Sequence, residues 1–127
     1  MTGFLEGFIW MTFCVYFEAE NQPQPAREMV CHSILNRAVK RKLTYKEVVR
    51  EKGQYSWYNK RVIPPVKNGL VFIECAQAVL KSYFNHSFGY NYGGVDHFFS
   101  DDIEEPYWVP SMSEKLGKVG AFYYFRS

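Results

Sequence analysis

Basic residues are missing from the first 26 positions, the earliest being Arg27, and no small-residue cleavage site follows the apolar run Phe8 to Phe17. A secretory leader needs both, so the chain is expected to lack a signal peptide and to be made in the cytoplasm. The run is also only about ten residues where a membrane span needs about twenty, so no membrane insertion is expected. Cysteine is scarce and odd in number. Cys14, Cys31 and Cys75 stand among apolar neighbours, with no CxxC and no Cys/His pair at metal spacing. That excludes a disulfide framework and a zinc site, predicts reduced core thiols, and leaves no metal or cofactor to expect. A cysteine nucleophile is excluded too, because it needs a partly exposed thiol beside a base. The net charge of +2 is too small for a nucleic-acid footprint, although Lys and Arg gather between Arg37 and Lys42 and again between Arg50 and Lys67. No linker, repeat or low-complexity tract divides the chain. Residues 1–127 are therefore expected to form a single domain, burying about two-thirds of the unfolded surface, and to act as a monomer.

Aromatic residues are what the chain has in excess, at 19%, with 10 Tyr, 11 Phe and 3 Trp. Tyr55, Trp57, Tyr58, Tyr90, Tyr92, Tyr107 and Trp108 fall in stretches with loop composition, where rings either stack on flat ligands or turn into the core. The periodic segments predict four helices. The first runs from Gly3 to about Asn21 and is apolar nearly all round, hence central to the fold. The second runs from Pro25 to about Arg41. A short third helix starts at Thr44, whose spacing to Glu47 is that of a capping box. The fourth runs from about Asn68 to Phe84, with Phe72, Cys75, Ala76, Val79, Leu80 and Tyr83 as its buried stripe. Asp96 to Phe99 and Val119 to Phe125 are the only expected strands. The class is α+β, mainly helical, with a small β element.

Glu18 ends the most apolar stretch of the chain. At about 100° per residue it shares a helix face with Phe4, Met11, Cys14 and Val15, while Glu20 points nearly the opposite way with Ile9, Phe13 and Phe17. Two readings fit the position. It marks where a buried helix meets water, or it is a carboxyl whose pKa is raised by apolar surroundings, as a general acid working near neutral pH requires.

Five segments in order resemble the SleB/CwlJ-type cell-wall hydrolases, a family of spore-cortex-lytic enzymes and phage lysins. They are Tyr16-Phe17-Glu18-Ala19, Ile34-Leu35-Asn36-Arg37, Gln54-Tyr55-Ser56-Trp57, Gly93-Gly94-Val95-Asp96-His97-Phe98 and Val119-Gly120-Ala121-Phe122-Tyr123-Tyr124. The resemblance implies a compact lysozyme-like fold, peptidoglycan glycan strands as substrate, and Glu18 as the catalytic acid. It also implies substrate-binding roles for Gln54, Tyr55, Ser56, Trp57, Asp96, His97 and Phe98, and of the loop aromatics Trp108 is expected to line the sugar groove. A mildly basic face suits an anionic cell wall, and a bacterial host's wall would be reached after release or as part of a virion. Three positions depart from the pattern: Glu20 replaces an Arg, Gln22 a Glu, and Phe122 a His.

Glycosidic cleavage needs a proton donor and either a second carboxylate or an internal nucleophile. Asp96, then Glu20, are the candidates for a hydrolase's second carboxylate. A lytic transglycosylase needs none, because the C6 hydroxyl of muramic acid closes on C1 to give a 1,6-anhydro product. The resemblance favours that reaction; a hydrolytic muramidase and a catalytically silent glycan-binding module are the alternatives. Asn36 and Arg37 are expected to tie the second helix to the loops, with Arg37 also considered as a holder of the peptide-stem carboxylate.

Overall fold

Burial of one face of the first helix organises the rest of the chain. In the computed structural model, which describes residues 2–127, α1 (Thr2–Ala19) buries Met11, Cys14, Val15 and Tyr16. It is not surrounded on all sides, as its composition predicts. Packing against α2 (Gln24–Arg41), α3 (Tyr45–Arg50) and α4 (Gly69–Ser87) covers the rest, but the i, i+4 pair Leu5 and Ile9 stays 55% and 50% exposed. The helix stops because its terminal carbonyls find a partner outside it. Arg27 donates from Nε to the Ala19 carbonyl (3.1 Å) and from Nη2 to that of Glu20 (2.6 Å), satisfying acceptors that a helix end leaves orphaned.

The second helix has Pro25 in its first turn and closes at Lys42 in the left-handed region, whose N–H reaches the carbonyls of Ala38 and Val39. The capping box forms as the spacing predicts: Glu47 N–H donates to Thr44 Oγ1 (3.1 Å), and Thr44 N–H to Glu47 Oε1 (2.9 Å). Between α3 and α4 the extended segment holding Pro64 and Pro65 is pinned from inside. The buried Tyr16 hydroxyl accepts from the backbone N–H groups of Lys67 (3.2 Å) and Asn68 (3.0 Å). Asn68 Oδ1 then caps α4 by accepting from Val71 N–H.

The stripe on α4 is rotated from the expected one. Cys75 and Val79 are buried, but Leu80 is 43% exposed, and Ala78 and Ser82 take the inner positions. These two small side chains face the tight packing of α4 on α2, which a leucine would crowd. The helix also runs on to Ser87, through the start of the expected loop.

The sheet has three antiparallel strands in the order β1 (His97–Ser100), β3 (Phe122–Arg126), β2 (Glu114–Val119). Phe98 pairs with Tyr124 and Phe99 with Tyr123 across β1 and β3. The segment expected as one strand from Val119 to Phe125 instead spans the end of β2, a turn at Gly120 and Ala121, and β3. Strand β2 escaped the sequence reading because Glu114 to Lys118 are mostly polar and interrupted by Gly117, where the pairing with β3 shifts register. All three cysteines are free and buried, and no described helix is long and apolar enough to cross a membrane. A mainly helical chain with one small sheet is thus what the helical and strand patterns predict.

Candidate active site

A cleft of about 400 Å³ opens where the C-terminal end of α1 meets the loop after α3 and the strands β1 and β3. Glu18 reaches it from the last turn of α1. Gln54, Tyr55, Ser56 and Asn59 come from the loop. His97, Phe98, Phe99 and Ser100 come from β1, with Phe122 from β3, and Ile103, Pro106 and Trp108 from the segment that follows β1. With Arg37 from α2, five stretches far apart in sequence share one cavity wall.

Burial lifts the Glu18 carboxyl from 4.5 to about 7, opposed by the positive charge of Arg37. A side chain with that pKa is part protonated and part ionised at neutral pH, so it can give a proton and take one back. Arg37 is itself only 2% exposed. Its Nε donates to the Asp96 carbonyl (2.5 Å) and its Nη1 to the Tyr55 hydroxyl (3.4 Å), which hold the guanidinium on the inner side of the cleft. Asn36, one position earlier, donates from Nδ2 to the carbonyls of Asn91 and Val95 (2.8 Å each). Both residues tie α2 to the loops, and Arg37 also contributes to the cleft wall beside Glu18.

Asp96 does not reach the cleft wall. It is 3% exposed, and its oxygens accept from His97 Nδ1 (3.0 Å), Lys40 Nζ (3.1 Å), Ser127 N–H (2.8 Å) and the Ser127 hydroxyl. Burial opposes its ionisation, but these donors outweigh burial and hold the carboxyl well below the usual carboxylate range. With its lone pairs filled it is an anchor for the C-terminus and for His97, and not a substrate ligand or a second carboxylate. His97, donating to that carboxylate from Nδ1, keeps Nε2 free and lies against Trp108 with ring centroids 4.9 Å apart.

Trp57 also stays off the wall. Its ring packs against Phe17 (5.0 Å) and Tyr58 (5.4 Å), and Nε1 is buried. The Ser56–Tyr58 segment forms a 3-10 turn that rotates Trp57 inward while Gln54, Tyr55 and Ser56 line the cleft. Glu20 lies on the α4 side, where its charge acts on Cys75. Gln22 accepts at Oε1 from Ala121 N–H (2.9 Å), fastening the β2–β3 turn to the start of α2. Of the other loop aromatics, Tyr107 is 94% exposed and Tyr90 packs on His32. Burial pushes the Cys31 and Cys75 thiols up to about 12 and about 11, and that of Cys14 well above its ordinary value, so none is a ready nucleophile.

Sequence reasoning missed Asn59, Phe99, Ser100, Ile103, Pro106 and Phe122 as cleft residues. Two of these had a signal: Ser100 follows Phe98 by two on the strand, and Phe122 occupies the position of a motif histidine. Among the described residues no group of three or more His, Cys, Asp or Glu is placed to hold a metal ion.

The fold has known counterparts. The chain is similar to the catalytic domain of the SleB protein of Bacillus cereus, at 21% identity and a TM-score of 0.74, covering 95% of this chain and 91% of that one. It is equally similar to the catalytic domain of the germination-specific lytic transglycosylase SleB of Bacillus anthracis, at 20% identity and a TM-score of 0.75, covering 94% and 93%. No curated protein sequence matches the chain. A sequence model described as cell wall hydrolase matches residues 21–125, a span that begins just after Glu18 and takes in the loop, both cleft strands and the segment between them. With most of its length inside that match and its whole fold shared with the SleB catalytic domains, this chain belongs to the SleB/CwlJ-type cell wall hydrolase family.

Proposed function

We propose that the protein cleaves the glycan strands of peptidoglycan as a lytic transglycosylase, with Glu18 as both acid and base. One observation carries this reading: among the described residues Glu18 is the only carboxylate on the cleft wall. A hydrolase of the usual kind needs a second one, about 5–5.5 Å away for retention or about 6.5–9.5 Å for inversion. Asp96, the sequence's first alternative, is filled by four donors, and Glu20 faces α4. The solved relative from Bacillus anthracis is itself described as a lytic transglycosylase.

The steps follow from a carboxyl with a pKa of about 7. Protonated Glu18 gives its proton to the glycosidic oxygen, the C1–O bond of the muramic acid breaks, and the alcohol of the next sugar leaves. The oxocarbenium-like centre develops beside a carboxylate that is now negative. Glu18 then takes the proton of the C6 hydroxyl, whose oxygen closes on C1, giving the 1,6-anhydro sugar and a protonated Glu18 ready for another turn. Gln54, Ser56 and Asn59 supply donors and acceptors suited to N-acetyl groups, and the ring of Trp108 suits the flat face of a sugar. His97, with Nδ1 tied to Asp96, offers Nε2 in a fixed direction to a substrate hydroxyl.

The test is mass spectrometry of soluble products from purified peptidoglycan treated with the wild type and with Glu18→Gln. Anhydromuramic ends that disappear in the variant are the expected result. Reducing muramic ends instead establish hydrolysis, and glycan binding without products from either protein establishes a binding module.

A further inference from the structure

Arg37, the sequence's candidate for holding the peptide carried by the glycan, lies on the cleft wall with its guanidinium hydrogen-bonded to the Asp96 carbonyl and the Tyr55 hydroxyl. A different arginine stands where such a group would arrive. A second hollow, of about 560 Å³, adjoins the catalytic cleft and shares Gly53, Tyr55 and Asn59 with it as common wall. Its far side is Tyr58 and Arg61.

Arg61 is held in place at a cost. Its backbone has φ of 59°, in the left-handed region that a non-glycine residue seldom occupies, and such outliers persist where the surroundings enforce them, often at ligand sites. The guanidinium lies 4.6 Å above the Tyr58 ring, and Nη1 donates to the Arg50 carbonyl (2.8 Å). A second guanidinium, that of Arg50, sits 6.0 Å from the same ring, with its Nε buried and unpartnered. Among the described residues no carboxylate lies within ion-pair distance of Arg61. The one acid lining the hollow, Glu51, is engaged by Arg41 at 2.5 Å, while Lys52 adds a further positive charge. An oriented guanidinium fork with most of its donors unspent is suited to a carboxylate, which it grips through two parallel hydrogen bonds.

We propose that Arg61, over Tyr58, forms an anion subsite that takes a carboxylate of the peptide attached to the substrate's muramic acid. The inference rests on the cleft being the glycan site, since the shared wall is what brings a peptide branching from a bound sugar into the hollow. It makes the enzyme prefer strands that still carry their peptides.

The experiment uses Glu18→Gln, so that strands are bound and not consumed, and compares soluble peptide-bearing glycan strands with the same strands stripped by an amidase. The expected preference for peptide-bearing strands is about tenfold, in line with one charge-assisted contact. It collapses toward one when Arg61→Gly is added, a change that relieves the left-handed backbone while removing the fork, and Arg61→Lys, which keeps the charge alone, recovers only part of it. Strands bound alike by Glu18→Gln overturn the subsite and leave the glycan reading standing. A preference that survives in a folded Arg61→Gly double variant also overturns it. If neither strand is bound, the glycan reading and the subsite fall together.

Discussion

Glu18→Gln keeps the shape of the side chain and removes its ability to ionise, so it measures what the cleft does to a carboxylate. Burial, opposed by Arg37, moves the Glu18 carboxyl from 4.5 to about 7. At about 1.4 kcal/mol per pKa unit, the ionised form is disfavoured in the folded chain by about 3 kcal/mol. Below pH 4.5 the group is neutral in both folded and unfolded chains, and wild type and variant have equal stability. Between 4.5 and about 7 the unfolded chain ionises while the folded chain stays protonated, so wild type loses stability as pH rises. Above about 7 both states are ionised and the loss stays constant. The variant is therefore expected to be more stable by about 3 kcal/mol at pH 8 and by nothing at pH 4. Urea unfolding reads this directly, because a slope of about 1–3 kcal/mol per molar turns the gap into a midpoint shift of about 1–3 M. On the proposed mechanism, the same variant is expected to lose cleavage of peptidoglycan. A stability difference that is flat from pH 4 to pH 8, or one that favours wild type at pH 8, refutes the argument that burial tunes this carboxyl.

Arg37→Met removes the charge that opposes burial, so the alkaline limb of the kcat/KM profile moves above its wild-type position near pH 7. It also leaves the Asp96 carbonyl without a donor and lowers stability by about 2 kcal/mol in urea unfolding. Asp96→Asn weakens the contacts to His97, Lys40 and Ser127 together, which costs about 2–4 kcal/mol at neutral pH. Because the Asp96 carboxyl lies below its ordinary range when folded, its contribution is present above about pH 4 and lost on acidification, so the difference narrows in acid; products from peptidoglycan keep the same reducing-end chemistry. Gly120→Ala places a Cβ 2.6 Å from Gln22 Oε1 on a backbone with φ of 55°, and lowers thermal stability by about 1–3 kcal/mol. Adding Gln22→Ala recovers part of that loss, a coupling that a double-mutant cycle measures.

The helices were legible because their signals are local. Pro25 in a first turn, the Thr44 and Glu47 pair, and the helical period of α4 all act within a few residues, and the three helices they mark are found in place. What failed depends on neighbours that a single segment does not announce. Leu5 and Ile9 look like core residues, yet three other helices already fill the remaining sides of α1. The inner face of α4 is set by how closely α2 approaches, which favours Ala78 and Ser82 over Leu80. Strand β2 is polar at most positions and is held by pairing with β3, a partner that its own composition does not reveal.

The same division runs through the site. The apolar run before Glu18 made poor solvation of its carboxyl legible, while its role as an acid came from the family resemblance. Asp96 and Trp57 were misplaced because their setting is long-range. The carboxylate of Asp96 meets Lys40 from α2 and Ser127 from the end of the chain, and a 3-10 turn aims Trp57 at Phe17. That misplacement has a chemical consequence. A free Asp96 beside His97 would have put a second acid at the mouth of the cleft; with its lone pairs filled, its effect passes to substrate only through the fixed imidazole of His97. The cleft is left with one carboxyl near neutrality, the guanidinium of Arg37 beside it and otherwise uncharged groups, with no second carboxylate among the described lining residues, an arrangement suited to a reaction in which the sugar supplies its own nucleophile.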